Sequence, residues 1–94
     1  MDFIKADSNC FTLNGRRLDL RGLGIGTWLN LEHFMVGLPT PDEMIRTAFQ
    51  NTYGSAVSEC FFKKYVNSFI DDADFAFLKK SGINFLRIPF NYRL

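Results

Sequence analysis

Arg87 stands inside a short apolar run, Ile83-Asn84-Phe85-Leu86-Arg87-Ile88-Pro89-Phe90, that a proline then curtails. A guanidinium does not shed its charge and is costly to bury without a carboxylate. The position therefore calls for an acid nearby, and on spacing alone it fits a structural ion pair or an outward-facing strand residue as well as a reacting site. A second chemistry-bearing stretch is Trp28-Leu29-Asn30-Leu31-Glu32-His33-Phe34. An indole can stack on the apolar face of a sugar ring, while Asn30, Glu32 and His33 can hydrogen-bond hydroxyl groups. Taken singly, Trp28 also suits a core, and Glu32 and His33 suit a solvated loop. His33 has no partner at ligand spacing, so no metal and no cofactor is expected. Asp71, Asp72 and Asp74 are explained by a helix N-terminus, where the helix dipole favours acids. Gly22-Leu23-Gly24-Ile25-Gly26 departs from the dinucleotide fingerprint because its third glycine falls one position early.

The elements that must position these residues are legible in the local pattern. Cys10-Phe11-Thr12-Leu13 and Arg17-Leu18-Asp19-Leu20 flank Asn14-Gly15, a dipeptide suited to a two-residue hairpin turn. The second arm runs on through the alternating glycines to Gly26, where missing side chains permit close approach by another backbone or a ligand. Thr40-Pro41-Asp42-Glu43 predicts a helix beginning at Pro41, capped by Thr40 with Glu43 closing a capping box, and ending at Gly54. Two further helices are expected, over residues 58–67 and from about Asp71 to Lys80, with Gly82 as terminator. Residues 83–90 then form a strand that Pro89 limits. A strand, a helical crossover and a second strand make one βαβ step of a parallel sheet, and sites in such sheets form at the carboxyl ends of the strands.

Composition narrows the class. The 94 residues include eleven phenylalanines, heavy aromatic loading that demands a packing surface. With a net charge of +1 and basic residues scattered singly or in pairs, the chain lacks a nucleic-acid footprint. It has no run of 18 or more apolar residues, so no membrane span is expected, and with no secretion leader visible it reads as a cytoplasmic protein unless a leader has been cut away. Cys10 and Cys60 form neither a metal-ligand set nor a disulfide framework. No feature specifies an oligomeric state.

Leu20-Arg21-Gly22-Leu23-Gly24-Ile25-Gly26-Thr27-Trp28-Leu29, followed about sixty residues later by Gly82-Ile83-Asn84-Phe85-Leu86-Arg87-Ile88-Pro89-Phe90, resembles the start of a family 5 glycoside hydrolase, the cellulase and exo-β-glucanase group. The resemblance implies an α/β fold, the first third of a (β/α)₈ TIM barrel, a domain that takes about 250 residues or more. Residues 1–94 would be the N-terminal portion of one catalytic domain, with no second domain. The hairpin would cap the barrel bottom, residues 18–24 would be strand one and residues 83–89 strand two.

That family cleaves β-glycosidic bonds by a retaining mechanism with two glutamates about 5 Å apart. By resemblance both lie after later strands, beyond this chain, so residues 1–94 alone would be inactive. Arg87 matches the arginine that hydrogen-bonds the nucleophile carboxylate and keeps it ionised. By the same resemblance Glu32 matches an acid that grips the terminal sugar and Tyr92 resembles a residue of the active-site rim that binds sugar by stacking or through its hydroxyl; Asn91 beside it and Trp28 are further sugar-binding candidates. The implied partner is a β-linked oligosaccharide or polysaccharide of glucan type or a related hexose chain. The asparagine that the family often carries between the strand-one glycines is replaced here by Leu23 and Gly24. The competing reading is a non-catalytic carbohydrate-binding or interaction module, with Trp28, Phe34 and Tyr92 as its face and Arg87 in a structural pair.

Overall fold

A computed structural model describes residues 2–93. In chain order the elements are β1 (Ile4–Asp7), β2 (Cys10–Leu13), β3 (Arg16–Leu18), β4 (Gly22–Gly24), α1 (His33–Val36), α2 (Asp42–Tyr53), α3 (Ser55–Phe69), α4 (Asp72–Lys80) and β5 (Phe85–Arg87). They form a three-stranded sheet, β1-β2-β3, and a separate two-stranded sheet, β4-β5.

The Asn14-Gly15 turn forms as its sequence requires. Both residues take positive φ, 52° and 75°, the pairing that matches a tight turn to the twist of its strands. The register that results sets Leu13 opposite Arg16 and Phe11 opposite Leu18. A strand not anticipated from sequence, β1, adds to the outer edge of β2. Its residues Ile4-Lys5-Ala6-Asp7 are all exposed, so no buried face imposed the alternation by which a strand is recognised.

The single strand expected over residues 18–24 is two pieces. The antiparallel ladder stops at Leu18, and Gly22–Gly24 instead pairs in parallel with Phe85–Arg87. The chain must change neighbours between them, and Asn84 holds the bend: its Nδ2 donates to the Asp19 carbonyl at 2.9 Å and its Oδ1 accepts from the Arg21 amide at 2.8 Å. The Phe85 ring lies directly over Gly22, and a Cβ there would meet it at 2.5 Å. The glycine is what lets the two strands approach with that ring between them. β5 is correspondingly shorter than the expected strand over residues 83–89, with one isolated parallel bridge beyond it, Leu29 to Phe90.

The expected cap of α2 does not form. Pro41 keeps an extended ψ of 159° and is itself the N-cap, so the helix starts one residue later than its proline suggests. Thr40 is then too far back to reach the first free amides, and its Oγ1 is buried without a hydrogen-bond partner among the described residues. Glu43 turns away from the cap to pair with Arg93 at 2.7 Å. At the other end Gly54, at φ 84°, closes α2 as expected and opens α3 in the same step. The third helix accordingly runs over Ser55–Phe69 rather than residues 58–67. Between α2 and α3, Phe49, Phe61 and Phe62 meet at centroid distances of 4.6 to 5.4 Å, which absorbs part of the aromatic load. The α4 start is as the sequence reads: Asp71 and Asp74 exchange side-chain-to-backbone bonds of 3.0 Å in a capping box.

Ile25, Leu31 and Phe62 are the buried apolar residues among those described. The radius of gyration is 17.8 Å, against roughly 13 Å for a compact chain of about this length. The three-stranded sheet adjoins the N-terminal ends of β4 and β5 through Asp19, Arg21 and Asn84. The opposite, C-terminal ends are left open, and it is there that the candidate site lies.

Candidate functional site

Two loops leave the C-terminal ends of the parallel pair, one over residues 25–32 after β4 and one over residues 88–93 after β5. With the start of α2 they enclose a cleft of about 530 Å³ whose walls include Asn30, Glu32, His33, Phe34, Asp42, Glu43, Arg87, Asn91, Tyr92 and Arg93. Four of the five candidate residues, Arg87, Glu32, Asn91 and Tyr92, thus meet in one place although up to sixty positions separate them in the chain.

The first loop is shaped by a left-handed residue. Thr27 sits at φ 59° and is buried, a conformation that a β-branched side chain adopts only under constraint. Two bonds supply that constraint: the Tyr65 hydroxyl of α3 donates to the Thr27 carbonyl, and Thr27 Oγ1 accepts from the Glu32 amide at 3.2 Å. The Glu32 carboxylate then rests over Gly26, where a Cβ would lie 3.2 Å from its Oε1 and 2.8 Å from the Met35 sulfur. A carboxylate is thereby set at the cleft by a glycine beneath it and a threonine behind it. Trp28, next in the chain, points elsewhere. Its indole N–H donates to the Val66 carbonyl at 2.9 Å, and its ring stacks on Phe69 at 6.5 Å. It fastens the loop to α3 and is not among the residues that line the cleft.

Arg87 ends β5. Its carbonyl accepts from the Ile25 amide at 2.9 Å, which fixes the strand end, while its side chain faces the cleft with no carboxylate within 4 Å among the described residues. The structural ion pair considered for it is therefore not formed here. The other two arginines nearby are occupied: Arg46 with Asp42, and Arg93 with Glu43. Arg93 also lies over the Tyr92 ring at 5.6 Å, and its hydrogen bond to the Tyr92 hydroxyl holds the guanidinium above its ordinary range. Tyr92 and Phe34 are 84% and 70% exposed, leaving two aromatic faces free at the rim.

Asp42 was legible only as an acid in a first helical turn, yet it is 6% exposed. Its Oδ1 accepts from the Leu31 amide at 3.0 Å, its two oxygens share Arg46 Nε at 3.0 Å, and its Oδ2 accepts from Asn91 Nδ2 at 3.2 Å. The spacing to Arg46, four residues along the helix, was the one sequence signal of this network; the links to Leu31 and Asn91 had none. Asn91 Nδ2 also reaches Asn30 Oδ1 at 3.1 Å, so both loops converge on the start of α2. No group of three or more His, Cys, Asp or Glu suited to a metal occurs among the described residues, and Cys10 and Cys60 are both free.

A cleft with a free guanidinium, a positioned carboxylate and exposed aromatic rings suits a polyhydroxylated ligand. Over 80 residues the chain is 45% identical to a protein named Beta-xylosidase from Phanerodontia chrysosporium, covering 85% of this chain and 17% of that one. Over 86 residues it is 33% identical to Glucan 1,3-beta-glucosidase I/II of Saccharomyces cerevisiae, covering 78% of this chain and 19% of that protein. The likeness is to glycosidases. This chain spans less than one fifth of the length of each of these relatives. No protein-family model matches it, and no solved structure does.

Proposed function

We propose that this chain is the N-terminal part of a glycoside hydrolase of the family 5 type, and that the whole protein cleaves β-glycosidic bonds with retention of configuration. The observation that carries the proposal is the convergence of Arg87, Glu32 and Tyr92 on one cleft at the C-terminal ends of parallel strands, in a chain 45% identical to a protein named as a β-xylosidase. On this reading β4 and β5 are the first two strands of a (β/α)₈ barrel, whose sites lie at that face.

Two carboxyl groups from later strands would carry the covalent chemistry. One attacks the anomeric carbon as the other protonates the leaving oxygen, giving a glycosyl-enzyme ester. Water, deprotonated by the second group, then releases the sugar and restores the first carboxylate. Arg87 contributes by charge. A permanent cation hydrogen-bonded to the nucleophile favours its ionised form, which is the reactive one. Glu32 would accept hydrogen bonds from hydroxyls of the terminal sugar, and Tyr92 would offer a stacking face. Residues 1–94 alone, without the two carboxyl groups, would not turn over.

Proton NMR of the full-length protein acting on aryl β-xylosides and β-glucosides tests this. The first-formed sugar should be the β-anomer. Appearance of the α-anomer first, or no cleavage of either β-glycoside, would rule out the proposal.

A further inference from the structure

We propose that Asp42 is a positioning residue that ties the two strand-end loops to each other, and that Asn91 serves as its cross-link rather than as a sugar ligand. For its effect on catalysis this rests on the glycosidase reading; as a statement about the loops it stands on the hydrogen bonds alone.

A carboxylate removed from water must be matched by donors, because an unpaired buried charge is strongly unfavourable. Asp42 obtains them from three separate segments: the Leu31 amide after β4, Arg46 within α2, and Asn91 Nδ2 after β5. Arg46 alone could neutralise the charge. The other two donors come from the two cleft walls, so the need to satisfy the carboxylate fixes where those walls lie. Leu31 is itself buried and directly precedes Glu32. Asn91 directly precedes Tyr92. Each residue that would touch the sugar is thus one peptide away from a bond to the same carboxylate.

The bookkeeping of Asn91 supports its assignment. A side-chain amide has two N–H donors, and both are committed, one to Asp42 Oδ2 at 3.2 Å and one to Asn30 Oδ1 at 3.1 Å. Its Oδ1 already accepts from the Arg93 amide at 2.9 Å. No donor remains for a sugar hydroxyl unless the cross-link breaks. Asp42 is the point common to both walls, and its carboxylate is taken up by their donors.

Hydrogen exchange by mass spectrometry on the full-length protein, read on peptides covering residues 28–33 and 89–93, tests the tie directly. Asp42→Asn replaces one acceptor oxygen with an amide NH2, which must face a donor, either the Leu31 amide or Asn91 Nδ2. It should speed exchange in both peptides about tenfold or more, whereas Phe61→Leu, which loosens the α2–α3 contact with Phe49 away from Arg46, should not. Asn91→Leu, which leaves the charge of Asp42 matched by Arg46, should speed exchange in residues 28–33 as well. If Asn91→Leu leaves residues 28–33 unchanged, the tie is refuted. These outcomes do not depend on hydrolysis. Where the protein does cleave aryl β-glycosides, Asn91→Leu should raise KM about tenfold with kcat within about threefold. A fall in kcat at constant KM would mark Asn91 as acting in the transition state instead.

Discussion

At the scale of single residues, position 26 shows how little space separates a correct carboxylate from a displaced one. Gly26 does not need its conformational freedom here, because its φ is not positive; it needs to lack a Cβ. Alanine would push against the Met35 sulfur, which can swing away, and against Glu32 Oε1, which would have to yield by a few tenths of an ångström. Gly26→Ala should therefore change stability by less than about 1 kcal/mol while raising KM severalfold, measured by thermal melting and steady-state kinetics on the full-length protein. An unchanged KM would remove Glu32 from sugar binding. The sequence showed that the glycines admit something close, and it singled out Glu32, but not that one lies under the other. The same gap explains Asp42. An acid in a first helical turn is ordinary by the dipole argument, and nothing in its neighbours reveals that the chain will fold two distant loops onto it. Trp28 was ambiguous for a related reason: an indole serves equally as a platform or as an anchor, and the Val66 carbonyl that engages its N–H is 38 residues away.

At the scale of elements, the legible features are those that local chemistry decides. The Asn14-Gly15 turn, the Asp71 capping box and the stops at Gly54 and Gly82 each depend on a few adjacent residues and form as their types require. Asp71→Ala removes the acceptor of the Asp74 amide bond and frees the start of α4; a loss of about 0.5–2 kcal/mol is expected, from chemical denaturation of the full-length protein. A loss below a few tenths would show that α4 is held by its packing alone. The features that were misread depend on distant partners. Residues 18–24 look continuous, yet the chain leaves one sheet for another inside them because Phe85 and Asn84 offer β4 a second set of contacts. Thr40 and Glu43 form a sound capping-box pattern, but Arg93 draws Glu43 away, and Pro41 takes the cap position itself. α1 is a single turn of His33–Val36 whose end is set by Gly37 at φ 73°, too short to leave a periodic signal.

At the scale of the molecule, the exposed surface carries the strongest message. Phe34, Phe77 and Phe90 are each about 70% exposed, and among the described residues the two-stranded parallel sheet has no further strand on either side. Such surface favours burial against further chain or partner, in keeping with relatives more than five times as long as the matched region. The eleven phenylalanines registered this in composition; the geometry locates it on the parallel pair and the helices beside it. Arg87 lines the cleft without a carboxylate partner among the described residues; under the proposed function its partner would be a carboxylate from a later strand of the barrel. The central claim is that this cation supports the nucleophile of a retaining glycosidase. The direct test is kcat for an aryl β-glycoside, measured on the full-length protein with Arg87 intact and as Arg87→Ala. A fall of roughly 10²-fold or more is expected, the scale set by removing one preorganised charged donor from a reacting site, with KM changed much less and the variant still folded by thermal melting. A folded Arg87→Ala protein that turns over at the unmodified rate would contradict it.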